Sequence, residues 1–189
     1  MKYSRHGGVL ADWEIEELSV TDPKMVEGLM VENLNPFGYD LTLHNEFLIP
    51  TFDTSRLTLL DPMDSSSAHL VQSSGDWCII PPNSFVLGRS VEKINMPNWA
   101  IGICLGRSTY ARCGIIANVT PLEAGWSGTV TIELSNSTPM PAKVYAGRGI
   151  VQVVFFTGSI PDRTYVSKGG RYQGQEDITP AKGWTDNES

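Results

Sequence analysis

The chain has 189 residues, 41% of them hydrophobic, which suits one domain with a substantial core. Fourteen basic residues against 21 acidic ones leave a net charge of −7, which argues against nonspecific binding to nucleic acid or to an anionic membrane. No apolar run reaches the roughly 18 residues of a membrane span, and the opening MKYSRHGGVL lacks the apolar centre of a secretion signal. A cytoplasmic protein is expected, with Cys78, Cys104 and Cys113 as reduced packing residues in strand-like surroundings.

In chain order, residues 9–18 (VLADWEIEEL) have helical spacing with acidic solvent positions. NPFGYDLTLHNEF carries two turn signals, and its Tyr39-Asp40-Leu41-Thr42-Leu43 alternates like a strand. Asp40 is then either a solvent-facing strand residue or a buried structural acid. Thr51 to Asp76, rich in Ser, Asp and Thr, reads as a long surface loop. From Trp77 the pattern is all-β: WCII, FVLGRSVEKI, WAIGICLG, then AKVYAG and IVQVVFF, with Pro- and Gly-containing turns between them. Short strands at this spacing predict a sandwich or barrel, and no long helices alternate with them. From Pro161 the chain turns polar and glycine-containing. It is read either as a loose tail or as a segment whose Tyr165, Tyr172, Gln173 and Gln175 could fold over a ligand.

The chemistry concentrates in GRSTYARCGIIANVTPLEAGWSGTVTIE, residues 106–133. Gly106-Arg107-Ser108 suits a strand turning into a short helix, and Ser108 and Arg112, four apart, then project from one face. Ile115 to Val119 reads as a buried strand, Pro121 to Gly128 as a turn, and Thr129 to Ser135 as a further strand. There Glu133 lies between Ile132 and Leu134, so alternation puts its carboxylate on the face opposite theirs. Glu133, Ser108 and Arg112 either form a salt bridge between strand and helix or form a catalytic constellation.

Other chemistries fit poorly. His44-Asn45-Glu46 satisfies the H-x-E of zinc nucleobase deaminases, but no two cysteines have the spacing of their P-C-x-x-C partner. All three histidines lie in the first seventy residues and there is no G-x-S-x-G elbow, so a Ser-His-Asp hydrolase is not expected. Walker-type and dinucleotide glycine patterns are absent.

GRSTYARCGIIANVTPLEAGW, TIELSNSTPMPAKVYAGRGIVQVVFF and GGRYQGQ, with NPFGYDLTLHNEF and PPNSFVLGRSVE before them, resemble the dCTP deaminases of the dUTPase-like superfamily over roughly Asn35 to Gln175. The monofunctional bacterial branch is the nearest in kind. The resemblance implies a distorted antiparallel β-barrel or jelly roll of the dUTPase-like (β-clip) type with short helices. It implies a single domain over 1–160 with a short N-terminal helical segment, and a tail over 161–189 that closes over the active site. It further implies a homotrimer with sites between neighbouring subunits, and hydrolysis of dCTP to dUTP and ammonia without catalytic zinc. Mg²⁺ would accompany the triphosphate, held mainly by it, and dTTP is a candidate inhibitor.

By the same resemblance Glu133 matches the catalytic glutamate that moves protons between the attacking water and the base. Ser108 and Arg112 match the residues that orient the water and stabilise charge, helped by backbone near Val119 and Thr120. Arg107 to Arg112, including Thr109, Tyr110 and Ala111, matches the phosphate-contacting segment. Glu123 falls where many members have an aspartate that holds the deoxyribose. Thr131 and Ile132, just before Glu133 on the catalytic strand, match substrate-binding positions. Gln152 matches a nucleotide-contacting glutamine, and Tyr165, Arg171 and Gln175 match the closing tail. Two other readings stay open: a bifunctional deaminase/dUTPase that uses Glu123 and Glu133 to release dUMP and pyrophosphate, and a catalytically silent nucleotide-binding trimer.

Overall fold

Strict alternation of apolar and polar residues builds most of the molecule. Along Gly149–Thr157, Val151, Val153 and Phe155 are fully buried while Gln152 and Val154 are only partly covered. The structure is a computed structural model that describes residues 8–51, 60–64 and 69–183. Helix α1 (Asp12–Val20) is followed by β1 (Val26–Glu27), β2 (Leu34–Asn35), β3 (Gly38–Thr42), β4 (Glu46–Pro50), β5 (Leu70–Ser74) and β6 (Trp77–Ile80). Then come β7 (Phe85–Asn95), β8 (Ala100–Gly106), the short helix α2 (Ser108–Ala111), β9 (Ile115–Asn118), β10 (Ser127–Asn136), β11 (Ala142–Tyr145) and β12 (Gly149–Thr157).

One sheet runs β5-β4-β7-β10-β9 with β1 added on β7, a second runs β2-β3-β12-β8, and β11 pairs with β6. Every strand pair is antiparallel. The bridge Leu43↔Ser90 links the two sheets beside β3 and β7, and Gly102↔Leu122 joins β8 to the connection before β10. The inner faces meet in one core that includes Tyr39, Leu41, Phe47, Ile132, Leu134 and Phe155. This is the all-β, barrel-like architecture expected from the strand spacing.

Between the sheets lies one buried carboxylate. Glu92 of β7 has no exposed surface, and it accepts hydrogen bonds from the Tyr39 hydroxyl (3.0 Å), the Thr42 amide (2.9 Å) and the Thr42 hydroxyl (2.7 Å). A buried acid is tolerated when its oxygens are satisfied in this way, and these three bonds fix β3 against β7.

Four expectations change. The helix spans Asp12–Val20 rather than 9–18, because Val9 bridges Phe156 and the Leu10 amide donates to the Phe155 carbonyl (2.9 Å), extending the β12 edge first. The loop expected over Thr51–Asp76 contains β5, whose Leu70–Ser74 pair with β4; cross-strand hydrogen bonding overrides a Ser-rich composition there. Residues 52–59 and 65–68 of that stretch lie outside the described residues, as do 1–7 and 184–189 of the ends. The strand at Ile115–Asn118 is not buried throughout: it pairs only with β10, and Ile116 is half exposed. All three cysteines are free, but only Cys78 is buried; Cys104 is partly covered and Cys113 is exposed.

Candidate active site

Glu133 sits near the middle of β10, paired with Leu87 of β7 on one side and Asn118 of β9 on the other. Ile132 and Leu134 go fully into the core, so the pleat turns the Glu133 carboxyl to the opposite face. It meets a cleft of about 450 Å³ there. Leu122, Trp126 and Val130 make one apolar wall, and Leu70, Phe85 and Leu87 another. Burial in this setting pushes the Glu133 carboxyl up from 4.5 to about 7, opposed only by a hydrogen bond from its own backbone amide. A neutral acid near pH 7 is what a low-dielectric surrounding favours. Cys104 of β8 faces the same carboxyl: burial pushes its thiol up to about 12, with the Glu133 charge adding to the shift.

Residues of the tail line the cleft and bond to β10. Gly174 donates to the Ser127 carbonyl (2.8 Å), the Thr129 amide donates to the Gln175 carbonyl (2.8 Å), and Gln175 bridges Gly128 in parallel. Gly128 has φ +153°, and a Cβ there would stand 2.8 Å from the Gln175 carbonyl oxygen, so only glycine admits the tail so close. The Gln175 side-chain amide donates to the Thr129 carbonyl (2.7 Å) and the Thr131 hydroxyl (3.3 Å). That fixes its orientation and leaves Oε1 buried without a partner among the described residues. Further back, the Trp126 indole donates to the Tyr172 carbonyl (3.0 Å), and the Tyr172 amide donates to the Tyr165 hydroxyl (3.1 Å).

The phosphate-segment residues stand elsewhere. β8 ends at Gly106, Arg107 is extended, and α2 begins at Ser108. The Arg112 amide donates to the Ser108 carbonyl (3.1 Å), so these side chains lie one helical turn apart, as the spacing predicts. The turn ends at Gly114, with φ +73°, where a Cβ would strike Thr138. Ser108, Thr109, Ala111 and Arg112 are exposed, and none of them lines the Glu133 cleft. No ion pair joins Arg112 to Glu133, so the strand–helix salt bridge is not formed within the chain. Arg107 reaches back to β3, where its Nη1 lies 3.1 Å from Asp40 Oδ2 and donates to the Gly149 carbonyl at 3.3 Å. Asp40 is thus the buried structural acid of the two alternatives; burial raises its pKa, and the Arg107 charge opposes that rise.

Of the expected site residues, the structure brings Glu133, Thr131, Tyr165 and Gln175 to one cleft. The Ile132 side chain points into the core. Glu123 is exposed and outside the cleft. Gln152 donates through Nε2 to the Phe37 carbonyl (3.0 Å), and Arg171 donates to the Gly183 carbonyl. Leu122, Trp126, Tyr172 and Thr179 also line the cleft. Trp126 and Leu122 are signalled in sequence only by their place beside the turn before β10, whereas Thr179 has no sequence signal. The H-x-E pair is engaged in an ionic cluster: Arg89 Nη2 lies 3.1 Å from Glu46 Oε2 and 3.0 Å from His44 Nε2. Among the described residues no three His, Cys, Asp or Glu side chains are grouped to hold a metal, and no helix is long and apolar enough to cross a membrane.

The family described as dCTP deaminase-like matches residues 9–158. The chain belongs to the dCTP deaminase family. It is 45% identical over 181 residues to a dCTP deaminase of Campylobacter concisus, covering 91% of this chain and 96% of that one. With a dCTP deaminase of Campylobacter curvus the identity is 50% over 153 residues, 80% of this chain and 81% of the other. Among solved structures, the 2′-deoxycytidine 5′-triphosphate deaminase from Agrobacterium tumefaciens shares the fold, with a TM-score of 0.62 at 20% identity over 80% of this chain. This chain spans 48% of that chain, about half its length. As a member of the dCTP deaminase family the protein is an enzyme. The family match stops at 158, so Tyr165, Arg171 and Gln175 lie beyond it, whereas the alignment with the Campylobacter concisus protein covers 91% of the chain.

Proposed function

We propose that this enzyme hydrolyses the 4-amino group of dCTP, giving dUTP and ammonia, with Glu133 as the proton carrier. The observation that carries the reading is the Glu133 carboxyl, turned into a partly apolar cleft and raised to about 7. A group with that pKa can take a proton from an attacking water and return it to the base without a large energetic penalty in either direction. The relatives' shared name, dCTP deaminase, supports the choice of substrate.

In the proposed reaction the pyrimidine lies against Leu122 and Trp126, with C4 toward Glu133. Glu133 accepts one proton as water adds to C4 and passes it to the ring nitrogen N3. It then takes the proton of the new 4-hydroxyl as the C4 carbonyl forms and passes it to the amine, which leaves as ammonia as the C4–N bond breaks. The unpartnered Gln175 Oε1 is an acceptor for an exocyclic amine. In this reading water activation rests on Glu133 in place of zinc. Mg²⁺ enters as part of the substrate, bound to the triphosphate.

Ser108 and Arg112 have no polar contact with Glu133 in one chain. The reading therefore includes a homotrimer, in which the α2 segment of one subunit completes the Glu133 cleft of its neighbour. Arg112 then supplies fixed positive charge to the tetrahedral adduct, and Ser108 a hydroxyl that orients the water. Glu123 and Gln152 are assigned to the nucleotide, Glu123 to its sugar, and dTTP is proposed as a competitor for the same site. The enzyme is placed in the cytoplasm, feeding dUTP to thymidylate synthesis.

Product analysis tests this reading. Purified protein with dCTP and Mg²⁺ should accumulate dUTP and ammonia in equal amounts, with no pyrophosphate. dUMP appearing directly with pyrophosphate would replace it with the bifunctional reading, and no conversion at all would leave a silent nucleotide-binding protein.

A further inference from the structure

A guanidinium that none of the chemistry above uses stands beside the phosphate segment. Arg148 lies in the turn between β11 and β12. Its backbone is fixed: the Leu43 amide donates to the Arg148 carbonyl (3.0 Å) and the Gly147 amide to the Leu43 carbonyl (2.8 Å). Its side chain is exposed, and no carboxylate or hydrogen-bond partner holds it among the described residues.

The turn abuts Arg107 directly. Arg107 donates to the carbonyl of Gly149, and its amide donates to the Ile150 carbonyl at 3.4 Å. Arg107 and Arg148 also approach the Tyr110 hydroxyl from α2 closely enough that both favour its ionised form. The two arginines differ in one respect. Asp40, 3.1 Å from Arg107, already compensates that charge, whereas Arg148 keeps its full charge for a ligand.

We infer that Arg148 is a further triphosphate-binding residue, contacting the outer phosphates of a nucleotide whose chain lies along Arg107–Arg112. The inference rests on the proposed nucleotide role of that segment. A guanidinium forms paired hydrogen bonds with phosphate oxygens, and one on a fixed turn loses little freedom in doing so. A nucleoside monophosphate is too short to use it.

Calorimetric titration of wild type, Arg148→Ala and Arg148→Lys with Mg²⁺–dCTP and with dCMP tests the assignment, alongside turnover of dCTP. The expected result is a five- to tenfold weaker dCTP affinity in Arg148→Ala, partial recovery in Arg148→Lys, and dCMP affinity unchanged. KM should rise by a similar factor, with kcat within twofold. Equal dCTP affinity in wild type and Arg148→Ala would overturn the assignment, as would an equal loss for dCMP. Titration reads Arg148 whether or not the base is deaminated. Tight dCTP binding without turnover would overturn the deaminase reading alone, and a wild type that binds neither nucleotide would overturn both.

Discussion

At the scale of single residues, the chemistry turns on which protonation state of Glu133 is present. Its carboxyl is raised by burial to about 7, so below that pH it is mostly neutral and cannot accept the proton of the attacking water. The rate should therefore climb with pH through about 7 and then level, rather than level near the ordinary carboxylate pKa of about 4.3. A kcat/KM profile from pH 5 to 9 measures it; a plateau already reached by pH 5 would mean the carboxyl is not raised in the working enzyme. Asp40 illustrates the opposite use of a buried acid. With Arg107 at 3.1 Å it holds a basic side chain in position.

At the scale of elements, the tail and α2 do different work. Residues 174 and 175 bond the start of β10 through one isolated bridge, and the Gln175 side chain reaches Thr129 and Thr131. Each such bond contributes about 1 kcal/mol. Gln175→Ala should thus raise KM for dCTP by about tenfold, with the core's melting temperature nearly unchanged, since the core cluster does not include Gln175. Steady-state kinetics with a thermal melt separate the two; an unchanged KM would make the contact merely structural. The strands themselves were legible from alternation: β6, β7, β8, β10, β11 and β12 lie where the pattern put them. The pleat position of Glu133 was equally legible, because a period of two needs no tertiary information. β5 was not, since Leu70–Ser74 is a strand only by pairing with β4. The Cys104–Glu133 proximity was hidden for the same reason: it joins residues on different sheets.

At the scale of the whole molecule, spacing alone could place Ser108 beside Arg112 but could not say on which surface they meet Glu133. The chain keeps them outside the cleft, and the proposed trimer resolves that separation. Arg112→Ala and Glu133→Gln chains, each inactive alone, should regain activity when unfolded together and reassembled. In a mixed ring of equal parts, about a quarter of the sites combine an intact α2 from one subunit with an intact Glu133 from the next. No recovery, despite mixed trimers seen by native mass spectrometry, would place both residues in one chain's site.

The central claim is that Glu133 moves the protons of deamination. The most direct measurement is single-turnover conversion of dCTP by Glu133→Gln, with dCTP affinity measured in parallel. The account predicts a loss of at least about a thousandfold in rate, since an amide cannot carry the proton, with affinity held within a few-fold. A rate near that of the wild type would contradict it.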